Sequence, residues 1–480
     1  MGDRSVTRNC GPDLARVGAG LPVAAYRDEI TTALHGGRAV IVAPPGTGKT
    51  TFVPPLVASR CSGRVIVTQP RRVAARAAAR RLAALTGTRP GEFASHTVHG
   101  ESTTTRDTKV EFVTTGVLLR RLLSDPDLTG VDAVVLDEVH ERHLDADLVV
   151  AMVCEVAQLR DDLTIVAMSA TVDSSGWAAF LGGVEPAPVV EVASALHELE
   201  VEWAPAAGAA VESRGVSREF LGHLGTVTVD ALDRHTEGSA LVFVPGAREV
   251  DHVVADLRSR LAGIDVVGLS GAMSAREQDH ALSDPGNVRR VIVSTAVAES
   301  SLTVPGVRLV VDSGLSREPR LDRGRGMAGL VTVRESRASA VQRAGRAARL
   351  GPGVAVRCLR AQDWAGMNAD PTPEVDHADL VASLLSLAVW GSPRGEGMAL
   401  PTPLPQDRVA AAEEELRDLG AVDAEGRITV RGRHLATFPL DPRLARALTD
   451  GAAIVGSRRC AEIAAMLGLE DGQVDLVGQW

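Results

Sequence analysis

Lysine is nearly absent from this chain: of 51 basic residues only Lys49 and Lys109 are lysine, and the other 49 are arginine. A compact ammonium that persists against such a bias marks a place where the broad guanidinium fork does not fit, which singles out Lys49. Aromatic residues make up 3% of the chain, with one tyrosine, Tyr26, so a surface that works by ring stacking is thinly supplied. The five cysteines, Cys10, Cys61, Cys154, Cys358 and Cys460, are odd in number and scattered. That pattern argues against a disulfide framework or a cysteine zinc site and points to a reducing cytoplasm. No apolar run approaches the roughly 18 residues that span a bilayer, and Asp13 and Arg16 stand where a signal peptide needs its apolar stretch, so no membrane contact is expected. There is no excess of positive charge either. At a net charge of −10, any binding of a polyanion must come from a local basic patch.

What is present is an ordinary globular composition, 45% hydrophobic and 23% charged over 480 residues, enough for about three domains. Apolar strand-like runs recur at residues 40–42, 65–67, 134–136 and 163–168, separated by segments long enough for helices. This alternation predicts βαβ units and a parallel sheet covered on both faces. A second series at 241–244, 266–267, 291–293, 309–311 and 354–356 predicts a second α/β lobe. Beyond 362 the texture turns helical, at 378–390 and 408–419, and 420–430 reads as two short strands joined by a turn, which suits a winged-helix module. The expected division is a flexible tail at 1–20, a first lobe at 21–193, a second lobe at 194–362, a winged helix at 363–441, and the start of a helical segment at 442–480.

The first strand runs straight into Ala43-Pro44-Pro45-Gly46-Thr47-Gly48-Lys49-Thr50-Thr51, followed by a helix-compatible stretch. Strand, glycine-rich turn and helix make a phosphate-binding loop: backbone N–H groups wrap the phosphates, Lys49 reaches the outer ones, and the Thr50 hydroxyl takes Mg²⁺. Ala43 stands where the strict pattern has glycine. Downstream, Asp137-Glu138-Val139-His140 places two carboxylates just past the end of a strand, where open α/β sheets bind ligands. One can hold the metal while the other orients or deprotonates water.

With Ser169-Ala170-Thr171 and Gln342-Arg343-Ala344-Gly345-Arg346-Ala347-Ala348-Arg349, these motifs resemble the DEAH-box branch of superfamily 2 helicases, over about residues 40–440. Pro44-Pro45 and the stretch from Asp312 to Arg317 look most like the bacterial HrpB subgroup. The resemblance implies two tandem RecA-like P-loop lobes with parallel sheets, a winged helix and a helical continuation. It implies ATP and Mg²⁺ as cofactors, with Gly46, Thr47, Gly48, Lys49, Thr50, Thr51, Arg81 and Asp312 at the nucleotide and Thr50 and Asp137 at the metal. Glu138 would activate the attacking water, Gln342 would position it, and Arg346 and Arg349 would act as arginine fingers. His140, Ser169, Thr171, Thr295 and Glu299 would couple that site to a single strand. The strand would be contacted by Arg71, Arg72 and Thr115, within motifs that look like Thr68-Gln69-Pro70-Arg71-Arg72 and Thr114-Thr115-Gly116. Such relatives continue into further C-terminal domains, so a fragment is expected. Three positions depart from the family pattern: Ala348 in place of glycine, Leu282 in place of a base-stacking phenylalanine, and His99 in place of a strand-contacting arginine.

Residues 317–349 hold nine arginines against Glu318, Asp322 and Glu335, a local charge of +6 in a chain at −10. Residues 317–321 and 330–333, flanking Asp322-Arg323-Gly324-Arg325-Gly326, read as a β-hairpin with a glycine turn, which in related helicases lies beside the threaded strand. Arg323 and Arg325 are therefore expected at nucleic acid. The expected activity is ATP-driven movement along single-stranded RNA or DNA, RNA being favoured, by a monomer that grips the backbone with weak sequence preference. Two alternatives are an ATPase that remodels RNA–protein complexes without processive unwinding, and a nucleotide-gated interaction module without turnover.

Overall fold

The computed structural model describes residues 12–170, 174–193, 197–213, 215–286, 288–299, 302, 304–322 and 327–467. The first lobe is one eight-stranded sheet. Its strands are β1 (Arg38–Val42), β2 (Arg64–Gln69), β3 (Ala94–Val98), β4 (Glu101–Ser102), β5 (Val110–Thr114), β6 (Val131–Leu136), β7 (Thr164–Ser169) and β8 (Val189–Glu191). They lie in the order β4-β3-β5-β2-β6-β7-β1-β8, and only the β3–β4 pair is antiparallel. Val40, Ile41, Val65, Ile66, Val134 and Val135 are buried, as expected of β-branched strands covered on both faces.

The second lobe carries β9 (Leu199–Trp203), a small hairpin β10–β11 (Val211–Glu212, Gly215–Val216), β12 (Ser239–Phe243), β13 (Asp265–Leu269), β14 (Arg290–Ser294) and β15 (Val307–Asp312), then β16 (Leu315–Asp322), β17 (Met327–Arg334) and β18 (Gly353–Arg357). Its main sheet is all parallel, in the order β13-β14-β12-β15-β18-β9. Strands β16 and β17 stand apart as an antiparallel hairpin, in register from Leu315 opposite Arg334 to Asp322 opposite Met327. The two RecA-like lobes meet where Val73 and Ala74 of the first join a core cluster built from Leu241, Phe243, Ile292 and Val310 of the second.

Two expectations need correction. Residues 12–20 are not a loose tail: Asp13 accepts from the N–H groups of Ala15 and Arg16 at 3.1 Å and caps a helix at Leu14–Gly18. Leu14 and Val17 are buried in the first-lobe core. A five-residue helix is too short to show a period, so the pattern was silent. In the winged-helix region, the expected pair of strands shrinks to one bridge between Val422 and Ile428. Thr429 accepts from Gly432 N–H at 2.9 Å and starts a helix at Val430–Ala436, so Val430 is helical and exposed.

The helices Val381–Trp390 and Gln406–Asp418 precede that turn, and Pro442–Val455 and Ser457–Leu467 follow it. The winged-helix module is not a separate body. Leu384, Leu385, Leu404 and Leu416 share a continuous core with Leu118, Leu148 and Met152 of the first lobe, and Trp390 Nε1 donates to Glu155 at 2.6 Å. Among the described residues no helix is long and apolar enough to cross a membrane.

Candidate functional site

At the end of β1 the chain turns through Gly46 (φ 91°) and Gly48 (φ 87°), conformations that favour glycine, and enters the helix Lys49–Ala58. The Thr47 hydroxyl donates to Pro44 O at 2.9 Å, and Thr51 N–H donates to Gly48 O at 3.0 Å, closing the loop around a helix N-terminus. Lys49 is 5% exposed and its Nζ lies 3.3 Å from Glu138 Oε2. The Thr50 hydroxyl donates to Asp137 Oδ2 at 2.6 Å, and Gln69 Nε2, from the end of β2, donates to the same oxygen at 2.7 Å. Thr68 Oγ1 accepts from Asp137 N–H at 3.1 Å. Thr68 and Gln69, which the sequence placed in a strand-contacting motif, thus serve to orient Asp137.

Burial, with the Glu138 charge beside it, pushes the Asp137 carboxyl up to about 7. A hydroxyl and a crowded carboxylate at one buried point suit a hard cation such as Mg²⁺. Among the described residues no cluster of three or more His, Cys, Asp or Glu could hold a metal, so a cation here would complete its shell with phosphate and water oxygens.

Glu138 itself is left-handed (φ 56°) and opens a short 3₁₀ turn, Val139–Glu141, which ends at a second left-handed residue, Arg142 (φ 54°). Two such residues bracketing one turn are backbone strain at the candidate site. His140 Nδ1 accepts from Ala170 N–H at 3.2 Å, and its Nε2 lies 3.5 Å from Glu138 Oε2. Burial lowers His140 against the pull of Glu138, so the ring is neutral and its Nδ1 can accept from Ala170. Ser169, buried at the end of β7, accepts from Ala43 N–H at 3.0 Å through its carbonyl. His140 and Ser169, expected to couple, thus link the turn after β6 to the end of β7 and the end of β7 to the loop after β1; Thr171 lies outside the described residues.

The second lobe presents its arginines to this face. A Cβ placed on Gly46 would lie 2.6 Å from Arg349 Nε, so Arg349 covers the phosphate loop. Arg346 donates from Nε to Glu299 O at 3.0 Å and from Nη1 to Leu302 O. Burial pushes Arg349 down to about 10, and burial with repulsion from Arg349 pushes Arg346 well down, while Glu138 opposes both shifts. The buried Arg346 and half-buried Arg349 guanidiniums, crowding each other above a helix N-terminus, form a site that a polyphosphate would neutralise. Among the described residues, Gln342 Nε2 is buried without a hydrogen-bond partner. Thr295 N–H donates to Leu269 O at 3.2 Å at the end of β14.

Asp312, expected at the nucleotide, is instead held within the second lobe: its Oδ1 accepts from Arg343 Nη1 at 3.1 Å and from Gly314 N–H at 3.0 Å. Arg343 is fully buried and also meets Glu299 Oε2 at 2.8 Å and Glu335, with its guanidinium 5.0 Å from the Phe243 ring centre. No signal in the sequence marked Arg343 apart from its neighbours in the motif. Ala348 is fully buried, so the methyl group it adds over glycine is packed within the lobe.

Arg81 is exposed on the helix Arg72–Thr86, and Leu282 packs against the inter-lobe cluster. Arg80 pairs with Asp279 across the lobes. Of the residues expected at the strand, Arg71 pairs with Glu141 at 3.2 Å, Arg72 is exposed, and Thr115 begins the helix Thr115–Ser124. Arg71, Arg72 and Arg76 line a cavity of about 510 Å³ together with Ser274, Gln278 and Val297 of the second lobe. Arg323 and Arg325 lie outside the described residues.

Comparison with known proteins agrees with this geometry. The chain matches the DEAD/DEAH box helicase family over residues 26–177, the helicase conserved C-terminal domain over 224–351 and the winged-helix helicase associated domain (HA2) over 412–440. It is 37% identical over 454 residues to the ATP-dependent RNA helicase HrpB of Escherichia coli (strain K12), covering 93% of this chain and 54% of that protein. It is 32% identical over 468 residues to the human probable ATP-dependent RNA helicase DHX34, covering 95% of this chain and 40% of that one. The crystal structure of the Escherichia coli DEAH/RHA helicase HrpB superposes with a TM-score of 0.85 at 35% identity, covering 95% of this chain and 57% of that chain. The chain thus spans about half the length of the relatives it matches. With both helicase lobes, the phosphate loop and the facing arginines in place, the chain belongs to the DEAD/DEAH-box helicases.

Proposed function

We propose that this chain is an ATP-dependent RNA helicase or translocase module, comprising a first lobe to about residue 193, a second lobe to about 362, a winged helix to about 441 and the start of a helical segment. The observation that carries this reading is one cleft with Lys49, Thr50, Asp137 and Glu138 on one wall and Arg346 and Arg349 on the other. Lys49 and the loop N–H groups bind the outer phosphates. Thr50 and Asp137 would hold Mg²⁺, which neutralises charge on the phosphates when bound. Glu138, released from Lys49 as phosphate takes the ammonium, orients and deprotonates the attacking water, with Gln342 as the second positioning group. Arg346 and Arg349 stabilise the charge that develops as the lobes close. Strand contacts at Arg71, Arg72 and Thr115, with the hairpin arginines Arg323 and Arg325, convert closure into movement along RNA.

The test is ATPase turnover of the chain with matched RNA and DNA single strands, alongside Glu138→Gln. The wild type should hydrolyse ATP and respond more to RNA, while E138Q should keep nucleotide binding and lose turnover by about 10²-fold or more. Wild-type turnover in E138Q would refute the assignment of Glu138.

A further inference from the structure

The catalytic turn is gripped from outside its own lobe. Its strained downstream end, Arg142, accepts through its carbonyl from Glu374 N–H at 3.2 Å, and its guanidinium reaches Asp147 at 3.3 Å and the Thr402 hydroxyl. Glu374 Oε2 accepts from Leu144 N–H at 2.9 Å and lies 3.3 Å from His143 Nδ1. His143 Nε2 in turn meets Glu141 at 2.9 Å, and Glu141 pairs with Arg71 at 3.2 Å. Burial lowers His143, but the hydrogen bonds to Glu141 and Glu374 outweigh it and raise the ring to about 10, so these contacts are ionic at neutral pH.

Glu374 lies on the connector that runs from β18 of the second lobe to the winged helix. A few residues earlier that connector holds the other half of the site. Asn368 O and Ala369 O accept from Arg337 N–H and Ala338 N–H at 2.9 Å each, at the start of the helix Arg337–Ala344 that carries Gln342. The connector also touches the hairpin: Asp363 lies 3.5 Å from Arg334 of β17, and His377 lies 3.9 Å from Glu318 of β16. One short stretch of chain is therefore bonded to the hairpin, to the Gln342 helix and to the turn that bears Glu138.

Resting on the helicase reading above, we propose that the connector around 363–377 is the coupling strap of this enzyme and that Glu374 is its positioning residue, setting the Glu138 turn through Arg142, His143 and Leu144. Glu374 touches no reacting atom. Its effect is to hold a strained loop at one register while the second lobe moves, and a small displacement of such a loop costs rate far more than affinity.

The experiment measures kcat and KM for ATP with saturating single-stranded RNA, together with thermal stability, for the wild-type chain, Glu374→Ala, Glu374→Gln and His143→Ala. E374A should lose kcat by about tenfold with KM for ATP within about twofold, because positioning and not ground-state binding is removed. E374Q should recover most of that loss, since its amide oxygen still accepts from Leu144 N–H. H143A, which leaves the Glu374 bonds to the backbone intact, should be affected in the same direction and less. Wild-type kcat in a folded E374A would overturn the proposal. So would an equal loss in E374A and E374Q accompanied by a lowered melting temperature, the signature of a structural role; if E374A does not fold, a wild-type kcat in both E374Q and H143A overturns it. If the wild type itself hydrolyses no ATP, the helicase reading fails first and this one with it; if it does and the variants match it, only the strap is refuted.

Discussion

At the scale of single residues, Arg343 shows most clearly how charge is managed in this molecule. Its guanidinium is surrounded by Glu299, Asp312 and Glu335 in a region closed to water. Burial pushes the Glu335 carboxyl well above its usual range, and Arg343 is the charge that opposes this. Removing one partner of such a group leaves the others buried and unpaired, so Arg343→Ala should cost about 3–5 kcal/mol of stability, read as a lower urea midpoint. The pH dependence has a definite sign. Without the guanidinium nothing opposes the upward push of burial on Glu335, whose folded pKa then stands above its unfolded one, so the native state binds the extra proton and gains stability as pH falls. The R343A deficit should therefore be smaller at pH 5 than at pH 8, and a deficit independent of pH would show that lost packing, not charge, is the cause. Lys49, Thr50, Asp137 and Glu138 could be grouped from the sequence because each sits in a short motif with its own chemistry, and in the fold Lys49 meets Glu138 and Thr50 meets Asp137. The sequence placed Gln69 in a strand-contacting motif, gave Arg343 no role apart from its motif and was silent on Glu374, because the partners of these three are brought up by the fold from 68, 31 and 231 residues away.

At the scale of elements, most central strands and the edge strand β13 were legible as apolar runs, and β3, β4, β8 and β9, at or next to the sheet edges, were not. β3 and β4 carry His96, Thr97 and Glu101, β8 is three residues long, and β9 alternates Glu200 and Glu202 with Val201 and Trp203, so none has the continuous apolar character of a buried parallel strand. β5 holds Glu111 near its start, fully buried against Arg64 and Arg121, a polar interruption that hides a central strand. The hairpin was legible because strand pairing and a glycine-rich turn announce it together. Its two strands lie outside the main sheet of the second lobe, and the residues between them in sequence include Arg323 and Arg325. Replacing both by alanine should weaken single-strand binding by a similar factor for different sequences, and flatten the salt dependence by about 0.7 in logarithmic slope for each phosphate that is no longer neutralised. Basal ATPase without nucleic acid should be retained, and an unchanged salt slope with a collapsed basal ATPase would show that the segment supports the fold.

At the scale of the whole molecule, the first lobe and the winged helix share one core, so they move as a unit, and the second lobe is the part that can shift against them. The contacts across the cleft fit that division. They include the Arg80–Asp279 pair between exposed side chains, the small apolar contact at Val73 and Ala74, and Arg349 lying over Gly46. Exposed ion pairs contribute little and re-form easily, so the inter-lobe surface offers low resistance to opening, while the arginine contacts depend on closure. Arg346 is bonded to the carbonyls of Glu299 and Leu302, on its own lobe, and is not part of the phosphate loop. Initial ATP binding should therefore rest on Lys49 and the loop, and Arg346 should act only once the lobes come together. Arg346→Ala should lower turnover by about 10³ while leaving ATP affinity little changed, and Lys49→Ala should do the reverse, weakening binding first. Equilibrium binding of a fluorescent ATP analogue beside single-turnover hydrolysis separates the two. If R346A lost affinity as severely as K49A while bound ATP still turned over at the wild-type rate, Arg346 would belong to the ground-state phosphate site, and catalysis would not depend on lobe closure.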